Sequence, residues 1–304
     1  MGIKGLGGYL KMKKQAVLIQ CHNKPEQINK LISVLPSDVF DVFIHVDKKS
    51  LIAKDIIIKK NVFLIENRID VRWGRFSQVE ATLAMFNYME DPSVYSYCHL
   101  ISGNDFIIKP INWLQHKFCE DNKKEYIESN YLDGSSTWSW GGLDRFQVYY
   151  PQWIIKRPAN KPMRFCRVIY REFIMRTKIF KRKRLPVEKF YGGSSWWSLT
   201  GEMVAWMKEY LENHIEYCDF FKHGVCVDEV FFSTLARYSP YSDRIANDHM
   251  RFMCWNEPGN NSGGPSVLKE KDISVMIESE YAFARKFVDL SVIEILCKRL
   301  DEGR

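Results

Sequence analysis

The chain contains 304 residues, 46% of them hydrophobic, which is enough to bury the core of one large α/β domain or of two smaller domains. A disordered chain is therefore not expected. The formal net charge of +7 indicates an anionic partner, and nucleic acid, an acidic membrane surface and a phosphorylated substrate all fit that description. No apolar stretch approaches about 18 residues and no long apolar segment opens the sequence, so neither a transmembrane helix nor a signal peptide is predicted.

The first third of the sequence alternates short apolar runs with amphipathic segments. Buried strands are predicted at residues 16–20, 42–47 and 61–65 and at YSYCHLIS, and helices at PEQINKLISVL and FSQVEATLAMFNYM. This alternation is typical of βαβ units with a largely parallel sheet. Ligands bind beyond the carboxyl ends of the strands in such sheets, so we expect His22, Asp47 and the stretch from Ser102 to Asp105 to converge on one crevice.

The middle of the chain, residues 130–200, contains two segments rich in Gly, Ser and Trp, which are STWSWGGLDRF and YGGSSWWSLT. Tryptophans in loops are suited to stacking against sugars or bases, so we interpret both as loops over a site, with plain surface connections as the alternative. The last third returns to helices, predicted at GEMVAWMKEYLENH, DEVFFSTLARY and SVIEILCKRL. We find no repeat and no linker, and KKQAVLIQ fits a natural start at Met12. One domain over 12–304 is therefore expected, with 1–11 as a leader or a disordered tail.

A strongly basic stretch separates the two Trp-rich segments. The stretch from Lys156 to Lys189 contains thirteen lysines and arginines, and its only acidic residues are Glu172 and Glu188. Residues 164–184 predict a helix whose apolar side carries Phe165, Val168, Ile169, Phe173 and Ile179. A basic amphipathic helix can lie on an anionic membrane, and the alternative is an ordinary helix packed on the domain. Nucleic-acid binding has no support beyond charge.

The absence of several sequence motifs disfavours several classes of protein. The eight cysteines show neither a C-x-x-C pair nor zinc-type clustering, and several lie in apolar runs, so reduced, buried thiols of a cytosolic protein are expected. The nucleotide-binding, zinc-protease and serine-hydrolase motifs are absent, which disfavours kinases, dehydrogenases and those hydrolases. The D-x-D motif that holds a divalent metal in many nucleotide-sugar enzymes is also absent, so basic side chains would have to neutralise any phosphates.

Basic side chains of that kind occur near the C-terminus. AFARKF places Arg285 and Lys286 among aromatic neighbours, and Lys269 lies upstream. Cationic side chains can stabilise a departing diphosphate through charge-assisted hydrogen bonds that strengthen as negative charge develops. The alternative is a solvated basic pair at the end of a helix.

Two adjacent acids, Asp228 and Glu229, open the helical pattern of DEVFFSTLARY. Asp228 stands three, four and seven residues before Phe231, Phe232 and Leu235, which predicts an N-cap whose carboxylate accepts from the backbone N–H groups of the first turn. Glu229 would then enter the first turn with its carboxylate free to reach a ligand. The alternative is a cap followed by a surface acid that the helix dipole favours.

Together these segments resemble the family of core-2/I-branching β-1,6-N-acetylglucosaminyltransferases, which also contains the peptide O-xylosyltransferases. The segments that carry the resemblance occur in the order VLIQCHNKPEQINKLI, VFIHVDKKS, VRWGRFSQVEATL, HLISGNDFIIKP, YGGSSWWSLT, VDEVFFSTL, MRFMCW and AFARKF. The resemblance implies a GT-A type glycosyltransferase fold with a Rossmann-like sheet, and inverting transfer of a sugar from a UDP-sugar to a hydroxyl without a metal. Residues 12–130 would form the nucleotide-binding half, and residues 131–304 the acceptor and catalytic half.

The resemblance also implies roles for single residues. Glu229 falls on the family's catalytic base and Lys286 on a lysine that contacts the donor diphosphate, with Arg285 or Lys269 as candidates for a second cation. His22 and Asp47 match positions at the uridine end, and Asp105 lies in the donor-site loop. The positions that fall on the acceptor side are Glu128, Arg145, Trp196 and Trp255.

The expected activity is transfer of N-acetylglucosamine from UDP-N-acetylglucosamine to a glycan or a lipid-linked glycan, with no cofactor and no metal. UDP-xylose or UDP-glucuronic acid as donor is one alternative, and a non-catalytic glycan-binding or membrane-associated scaffold is another. The animal members of the family carry a membrane anchor and structural disulfides, which this sequence does not show. We therefore expect a bacterial, cytoplasmic enzyme at the inner face of the membrane, with the basic helix docked near a lipid-linked acceptor.

Overall fold

A computed structural model describes residues 12–151, 161–177, 182, 185–255 and 264–302. The predicted leader or tail at 1–11 lies outside these residues. The strands are β1 (Gln15–Cys21), β2 (Phe40–Val46), β3 (Val62–Leu64), β4 (Tyr97–Ser102), β5 (Asp105–Ile107), β6 (Asn130–Tyr131), β7 (Tyr191–Gly192), β8 (Trp197–Thr200), β9 (Arg251–Met253) and β10 (Phe283–Arg285). The α-helices are α1 (Pro25–Val34), α2 (Phe76–Tyr88), α3 (Ile111–Lys117), α4 (Asp144–Gln147), α5 (Lys161–Thr177), α6 (Gly201–Asn213), α7 (Ile215–Phe221), α8 (Asp228–Arg237), α9 (Ile273–Glu278) and α10 (Leu290–Glu302).

The central sheet has the strand order β3-β2-β1-β4-β8. Strands β1 to β4 are parallel to one another, and β8 runs antiparallel to β4 at the edge. This confirms the α/β class with a mostly parallel sheet. The prediction of a loop at YGGSSWWSLT was wrong at both ends, because Tyr191–Gly192 forms β7 and Trp197–Thr200 forms the buried strand β8.

Helices cover both faces of this sheet, as the alternation of side chains along β1 shows. Val17 and Ile19 pack into the core that contains residues of α1 and α10, whereas Ala16 and Leu18 pack into the core built with α2, α6 and α8. The strand is almost wholly apolar because both of its faces are buried. Strand β8, from the predicted second half of the chain, completes a sheet begun in the first; the division into halves stays a prediction.

The register of the parallel strands brings their carboxyl ends to one edge. Cys21 lies opposite Val46, and Gln20 lies opposite Ser102. Backbone hydrogen bonds extend this alignment beyond the strands, since the N–H of Asp47 donates to the carbonyl of Cys21 at 2.8 Å. The residues that follow β1, β2 and β4 are therefore neighbours in space, as the sequence predicts.

Two smaller sheets add the remaining walls around this edge. In the order β5-β10-β9, Arg285 at the end of β10 lies opposite Asp105 of β5, which joins the AFARKF segment to the loop after β4. Strands β6 and β7 pair so that the YGGSS segment runs against Glu128. A Cβ atom on Gly193 would lie 2.3 Å from the Cβ of Glu128, so only glycine fits this close approach.

The basic helix differs from the prediction of 164–184. Helix α5 begins at Lys161, with Pro162 in its first turn, and its described part ends at Thr177. Arg182 is not helical: its backbone N–H donates to the carbonyl of Gln147 at 2.9 Å, and its guanidinium packs over Phe220. Ile179, assigned to the apolar side, lies outside the described residues.

The cysteines partly follow the expectation of buried thiols. None of the eight, all of which the structure describes, forms a disulfide. Cys21 and Cys98 are buried in neighbouring strands, but Cys166 is exposed on α5. The prediction was wrong for Cys166 because this part of α5 faces solvent, as the exposed neighbours Phe165 and Ile169 also show.

Candidate functional site

A cleft of about 880 Å³ opens along the carboxyl edge of the central sheet. Its walls come from the ends of β1, β2 and β4, from the start of α8, and from the loops around Glu128, Trp138 and Trp255. Eight of the predicted site residues line this cleft, namely His22, Asp47, Glu128, Arg145, Trp196, Glu229, Trp255 and Arg285. Three others, Asp105, Lys269 and Lys286, are not among its lining residues.

The end of the cleft next to β2 is organised by Asp47. Its carboxylate accepts from the backbone N–H of Lys49 at 2.9 Å and from the Lys49 ammonium at 3.1 Å. Arg68 donates to the carbonyls of Val46 and Asp47, which fixes the loop. This end therefore presents a buried acid held in one orientation, with a lysine beside it.

His45 lines the same end and was missed by sequence reasoning, because a histidine inside an apolar strand carries no motif. Its Nε2 accepts from the backbone N–H of Ile69 at 2.8 Å, so in the neutral ring the proton resides on Nδ1. Burial lowers the pKa of His45 to about 4, although the Asp47 charge opposes that shift. The ring is therefore neutral at pH 7.

Asp105 does not line the cleft but contacts residues that do. It is buried, and its carboxylate accepts from the backbone N–H of Ser102 at 3.0 Å and from the Ser102 hydroxyl at 2.6 Å. The Nε of Arg285 lies 3.5 Å from the same carboxylate. Asp105 thus orders the loop after β4 and orients Arg285, whose guanidinium also stacks over the ring of Trp196 at 4.5 Å.

The two candidate lysines occupy different places. A Cβ atom on Gly264, a residue that lines the cleft, would lie 4.0 Å from the Nζ of Lys286, so this ammonium borders the cleft wall. Lys269 is exposed beside a short 3₁₀ helix, where its backbone N–H donates to the Asp272 carboxylate at 2.8 Å. Of the two proposed second cations, the fold brings Arg285 into the cleft and leaves Lys269 outside its lining.

Glu229 lies in the first turn of α8 and forms an ion pair with Arg145, a residue 84 positions away along the chain. Arg145 also donates to the carbonyl of Cys226 at 3.3 Å, and its guanidinium carbon lies over the Trp138 ring, 3.7 Å from the ring centroid. These contacts on several sides hold the guanidinium, and through it the carboxylate, in one place. Trp138 belongs to STWSWGGLDRF, which was predicted to be a loop over a site. The segment does line the cleft, but it contains a 3₁₀ turn at Ser139–Gly142 and ends inside α4.

The surroundings of Glu229 favour a carboxyl that exchanges protons. Burial raises the pKa of Glu229 above its ordinary value, and the Arg145 guanidinium opposes part of the rise. The charge of Asp228 raises it further. A carboxylate with a raised pKa is a stronger base than an exposed one, and the Arg145 guanidinium favours its ionised form.

The prediction that Asp228 caps the helix was wrong. Asp228 is the first residue of α8, and the cap position belongs to Val227, whose backbone is helical and which makes no side-chain cap. The Asp228 carboxylate instead turns toward the YGGSS segment and accepts from the hydroxyl of Ser195 at 2.6 Å. The spacing to Phe231, Phe232 and Leu235 located the start of the helix but could not reveal how the preceding turn approaches it.

A second acid, Glu128, faces the cleft from the loop before β6. Its Oε2 accepts from the backbone N–H of Ser194 at 2.8 Å, and its Oε1 lies 3.4 Å from the Nε2 of His249. The Nδ1 of His249 accepts from the backbone N–H of Arg251 at 3.0 Å, so the ring proton points at Glu128. Burial lowers the pKa of His249 to about 4, and the ring is therefore a neutral donor. His249 lies outside every motif and sequence reasoning missed it.

Other features of the site concern its aromatic rim and its ligand classes. Trp255 is 58% exposed at the mouth of the cleft, a position from which it can stack on a ligand. Within the described ranges, no group of three or more His, Cys, Asp or Glu side chains could hold a metal ion. None of the described helices has both the length and the apolar character needed to cross a bilayer.

A mostly parallel sheet with acids and cations gathered in one cleft at its carboxyl edge is an α/β architecture that binds a ligand at the strand ends. A sequence model of the Core-2/I-Branching enzyme family matches residues 22–277. The chain belongs to this family, which confirms the resemblance and makes the protein a glycosyltransferase with a sugar donor and a glycan acceptor. The observed sheet fits the GT-A type of fold expected for such enzymes.

Comparison with other known proteins adds little to this assignment. No curated protein matches the chain. Among solved structures, the chain is similar to a Bacillus anthracis protein described as a glucose-1-phosphate thymidylyltransferase, crystallised with sucrose, at 12% identity and a TM-score of 0.25. That match covers 64% of this chain and 75% of the other, and at this TM-score no argument rests on it.

Proposed function

We propose that the protein is an inverting glycosyltransferase that moves a sugar, N-acetylglucosamine, from its UDP derivative to a hydroxyl of a glycan acceptor without a divalent metal. The observation that carries this proposal is the position of Glu229. Its carboxylate is held by Arg145 in the same cleft that is bounded by the strand-end residues His22 and Asp47 and by Arg285. A base, a cationic wall and a polar end suited to a nucleoside thus share one cavity.

In the proposed reaction Glu229 accepts the proton of the acceptor hydroxyl while that oxygen bonds to the anomeric carbon. The bond from this carbon to the diphosphate oxygen breaks on the opposite face, and UDP leaves with the electron pair. Arg145 engages the Oε2 of Glu229, so the other carboxylate oxygen is the one proposed to receive the proton. Base catalysis of this kind contributes roughly 10²- to 10⁴-fold to the rate.

Lys286 and Arg285 are proposed to stabilise the departing diphosphate. Arg285 is well oriented for this role, because Asp105 and Trp196 hold its guanidinium at the cleft wall. Lys286 follows it directly and borders the wall at Gly264. Two cations at the cleft wall can neutralise the charge that develops on the leaving group, which is the task that a metal ion performs in related chemistry.

The decisive experiment is Glu229→Gln, which keeps the shape of the side chain and removes its basicity. We expect the variant to bind UDP as tightly as wild type and to lose transfer by at least about 10²-fold. Unchanged transfer would overturn the assignment of the base. Turnover by wild type in excess EDTA tests the metal-free mechanism, and strict dependence on added manganese would contradict it.

The donor sugar is tested by a screen of UDP-N-acetylglucosamine, UDP-xylose and UDP-glucuronic acid. A ligand that binds only the folded state raises the melting temperature, so the true donor is expected to protect more than UDP alone. Protection by one of the other two sugars would reassign the donor and leave the chemistry intact. A glycan-binding scaffold without turnover would show no UDP binding by calorimetry.

We propose further that the enzyme works at an anionic membrane, as a bacterial protein at the inner face with a lipid-linked acceptor. Helix α5 supports this. Its residues Phe165, Val168, Ile169 and Phe173 are between 44% and 66% exposed on one side, whereas Ile174 and Met175 pack against the domain. An exposed apolar stripe within a strongly basic segment suits the interface of an anionic bilayer.

A further inference from the structure

The second acid of the pair, Asp228, lacks a complete set of partners inside the protein. The residue is 9% exposed, and its Oδ2 accepts from the Ser195 hydroxyl at 2.6 Å. Its Oδ1 is buried and has no hydrogen-bond partner within the described part of the chain. A buried carboxylate oxygen without a donor is strongly unfavourable, which is why native proteins rarely leave one in that condition.

The backbone does not supply the missing donor. Asp228 is the first residue of α8 rather than its cap, and among the described residues no backbone N–H donates to its Oδ1. The nearby amide of Gln20 is also committed, since its Nε2 donates to the carbonyl of Gln78 at 3.0 Å and to the hydroxyl of Thr82 at 2.7 Å. Within the described part of the chain no donor remains for Oδ1, so we look for one in a ligand or in water.

The location of Asp228 indicates what kind of ligand this is. The residue lines the main cleft and also a small side cavity, which it shares with Ser195, Trp196 and Gln20. A carboxylate repels phosphate, and the cations proposed for the diphosphate lie on the wall formed by Arg285. A carboxylate beside a tryptophan ring is instead suited to a sugar, which offers hydroxyl or amide N–H donors and apolar C–H faces.

We propose that Asp228, oriented by the Ser195 hydroxyl, accepts a hydrogen bond from a hydroxyl or acetamido N–H group of the donor sugar. This inference rests on the proposed function and names the residue that selects the transferred sugar. Adjacent acids then divide the work: Glu229 handles the proton of the acceptor, and Asp228 holds the sugar that is transferred. A site in which a buried carboxylate accepts a hydrogen bond from the sugar discriminates strongly between sugars. A sugar without the matching hydroxyl or N–H group leaves the carboxylate without a hydrogen-bond partner.

The test compares Asp228→Asn with wild type by calorimetry, using UDP and the UDP-sugar that the donor screen selects. We expect UDP to bind both proteins equally, and the UDP-sugar to bind the variant more weakly by on the order of 10- to 100-fold, as for loss of a hydrogen bond to a charged group. Ser195→Ala keeps the carboxylate but removes its orienting partner, so a smaller loss of the same kind is expected. Asp219→Asn, an exposed acid paired with Lys222 on α7, is the matched control.

The outcomes separate this inference from the proposed function. If wild type binds UDP and the UDP-sugar, and neither Asp228→Asn nor Ser195→Ala changes the ratio of the two affinities, Asp228 holds only water and the inference is wrong while the function stands. If wild type binds neither ligand, the proposed function fails and the inference fails with it. Should Asp228→Asn not fold, the ratio measured for Ser195→Ala decides the question.

Discussion

At the scale of single residues, the contact between Arg145 and Glu229 determines how the proposed base behaves. A guanidinium against a carboxylate stabilises the ionised form, and burial acts in the opposite direction. Removing the cation therefore raises the pKa of Glu229 further. Since only the ionised carboxylate can accept a proton, the acidic limb of the pH profile should move to higher pH.

We predict this shift for Arg145→Met, measured as the pH dependence of kcat/KM, which reports the pKa of groups in the free enzyme. The variant is expected to lose activity at low pH first and to recover part of it as the pH rises. Arg244→Met, which breaks an exposed Arg–Glu pair with Glu202, is the matched control and should leave the profile unchanged. A profile that drops uniformly without moving would mean that Arg145 serves only to bind the acceptor.

The lysines Lys286 and Lys269 provide a second prediction at this scale. Removal of one preorganised group that stabilises developing charge typically costs about 10²- to 10³-fold in kcat. We expect a loss of this order in kcat for Lys286→Met. Lys269→Met should stay near wild type, because Lys269 lies outside the lining of the cleft. Comparable losses in both variants would show that the cleft closes over Lys269 during the reaction.

At the scale of elements, helix α5 shows that an amphipathic sequence pattern does not by itself reveal what covers the apolar side of a helix. Its amphipathic sequence would fit a helix whose apolar side is packed on the domain. The structure shows the reverse for four of the apolar residues, which are exposed, while Ile174 and Met175 on another side join Val148 and Tyr150 in a small core. Burying such a stripe in a bilayer removes apolar surface from water, which is favourable.

We therefore predict that Ile169→Ser combined with Phe173→Ser weakens binding to vesicles that contain phosphatidylglycerol, measured by co-sedimentation. The substitutions should leave thermal stability nearly unchanged, since both side chains already face solvent. Ile215→Ser removes an isoleucine that is even more exposed, at the start of α7, and is the control. Absence of vesicle binding by wild type, or equal binding by the double variant, would contradict a membrane role for α5.

At the scale of the whole molecule, the buried acid Glu125 links stability to pH. Its carboxylate accepts from the backbone N–H of Thr200 at 2.8 Å and from the Thr200 hydroxyl at 2.6 Å. Burial raises the pKa of Glu125 to about 7, and the Thr200 hydrogen bonds oppose part of that rise. Between about pH 4.5 and 7 the folded state therefore keeps a proton that the unfolded state releases.

The sign of the effect follows from this difference in proton binding. A raised carboxyl pKa stabilises the fold fully below pH 4.5, and this contribution is lost as the pH rises toward 7. We predict that the free energy of unfolding of wild type falls relative to Glu125→Gln over this window, by up to about 1.4 kcal/mol per pH unit. Urea denaturation at pH 5, 6, 7 and 8 measures it. His45 and His249 are present in both proteins, so their contributions to the pH dependence of stability cancel in the comparison. Parallel plots of unfolding free energy against pH for the two proteins would contradict the prediction.

Much of the scaffold could be predicted from local pattern. Strands β1 to β4 and helices α1, α2, α6, α8 and α10 follow from apolar periodicity, and the side of the sheet that holds the cleft follows from the rule for parallel strands. Those features depend on residues close together in sequence. The order of the motif segments along the chain likewise indicated the family, and the family in turn suggested the proposed roles of Glu229 and Lys286.

The roles of particular side chains depended on contacts between distant segments. Arg145 meets Glu229 across 84 positions, and Ser195 meets Asp228 across 33. The same helical spacing is compatible with a capping aspartate or with a buried one, and the helical backbone of Val227 decided between them. Sequence alone thus determined where the acids, cations and aromatic loops lie along the chain. Only the tertiary structure decided which of them share the cleft, because hydrogen bonding and burial are properties of the packed chain.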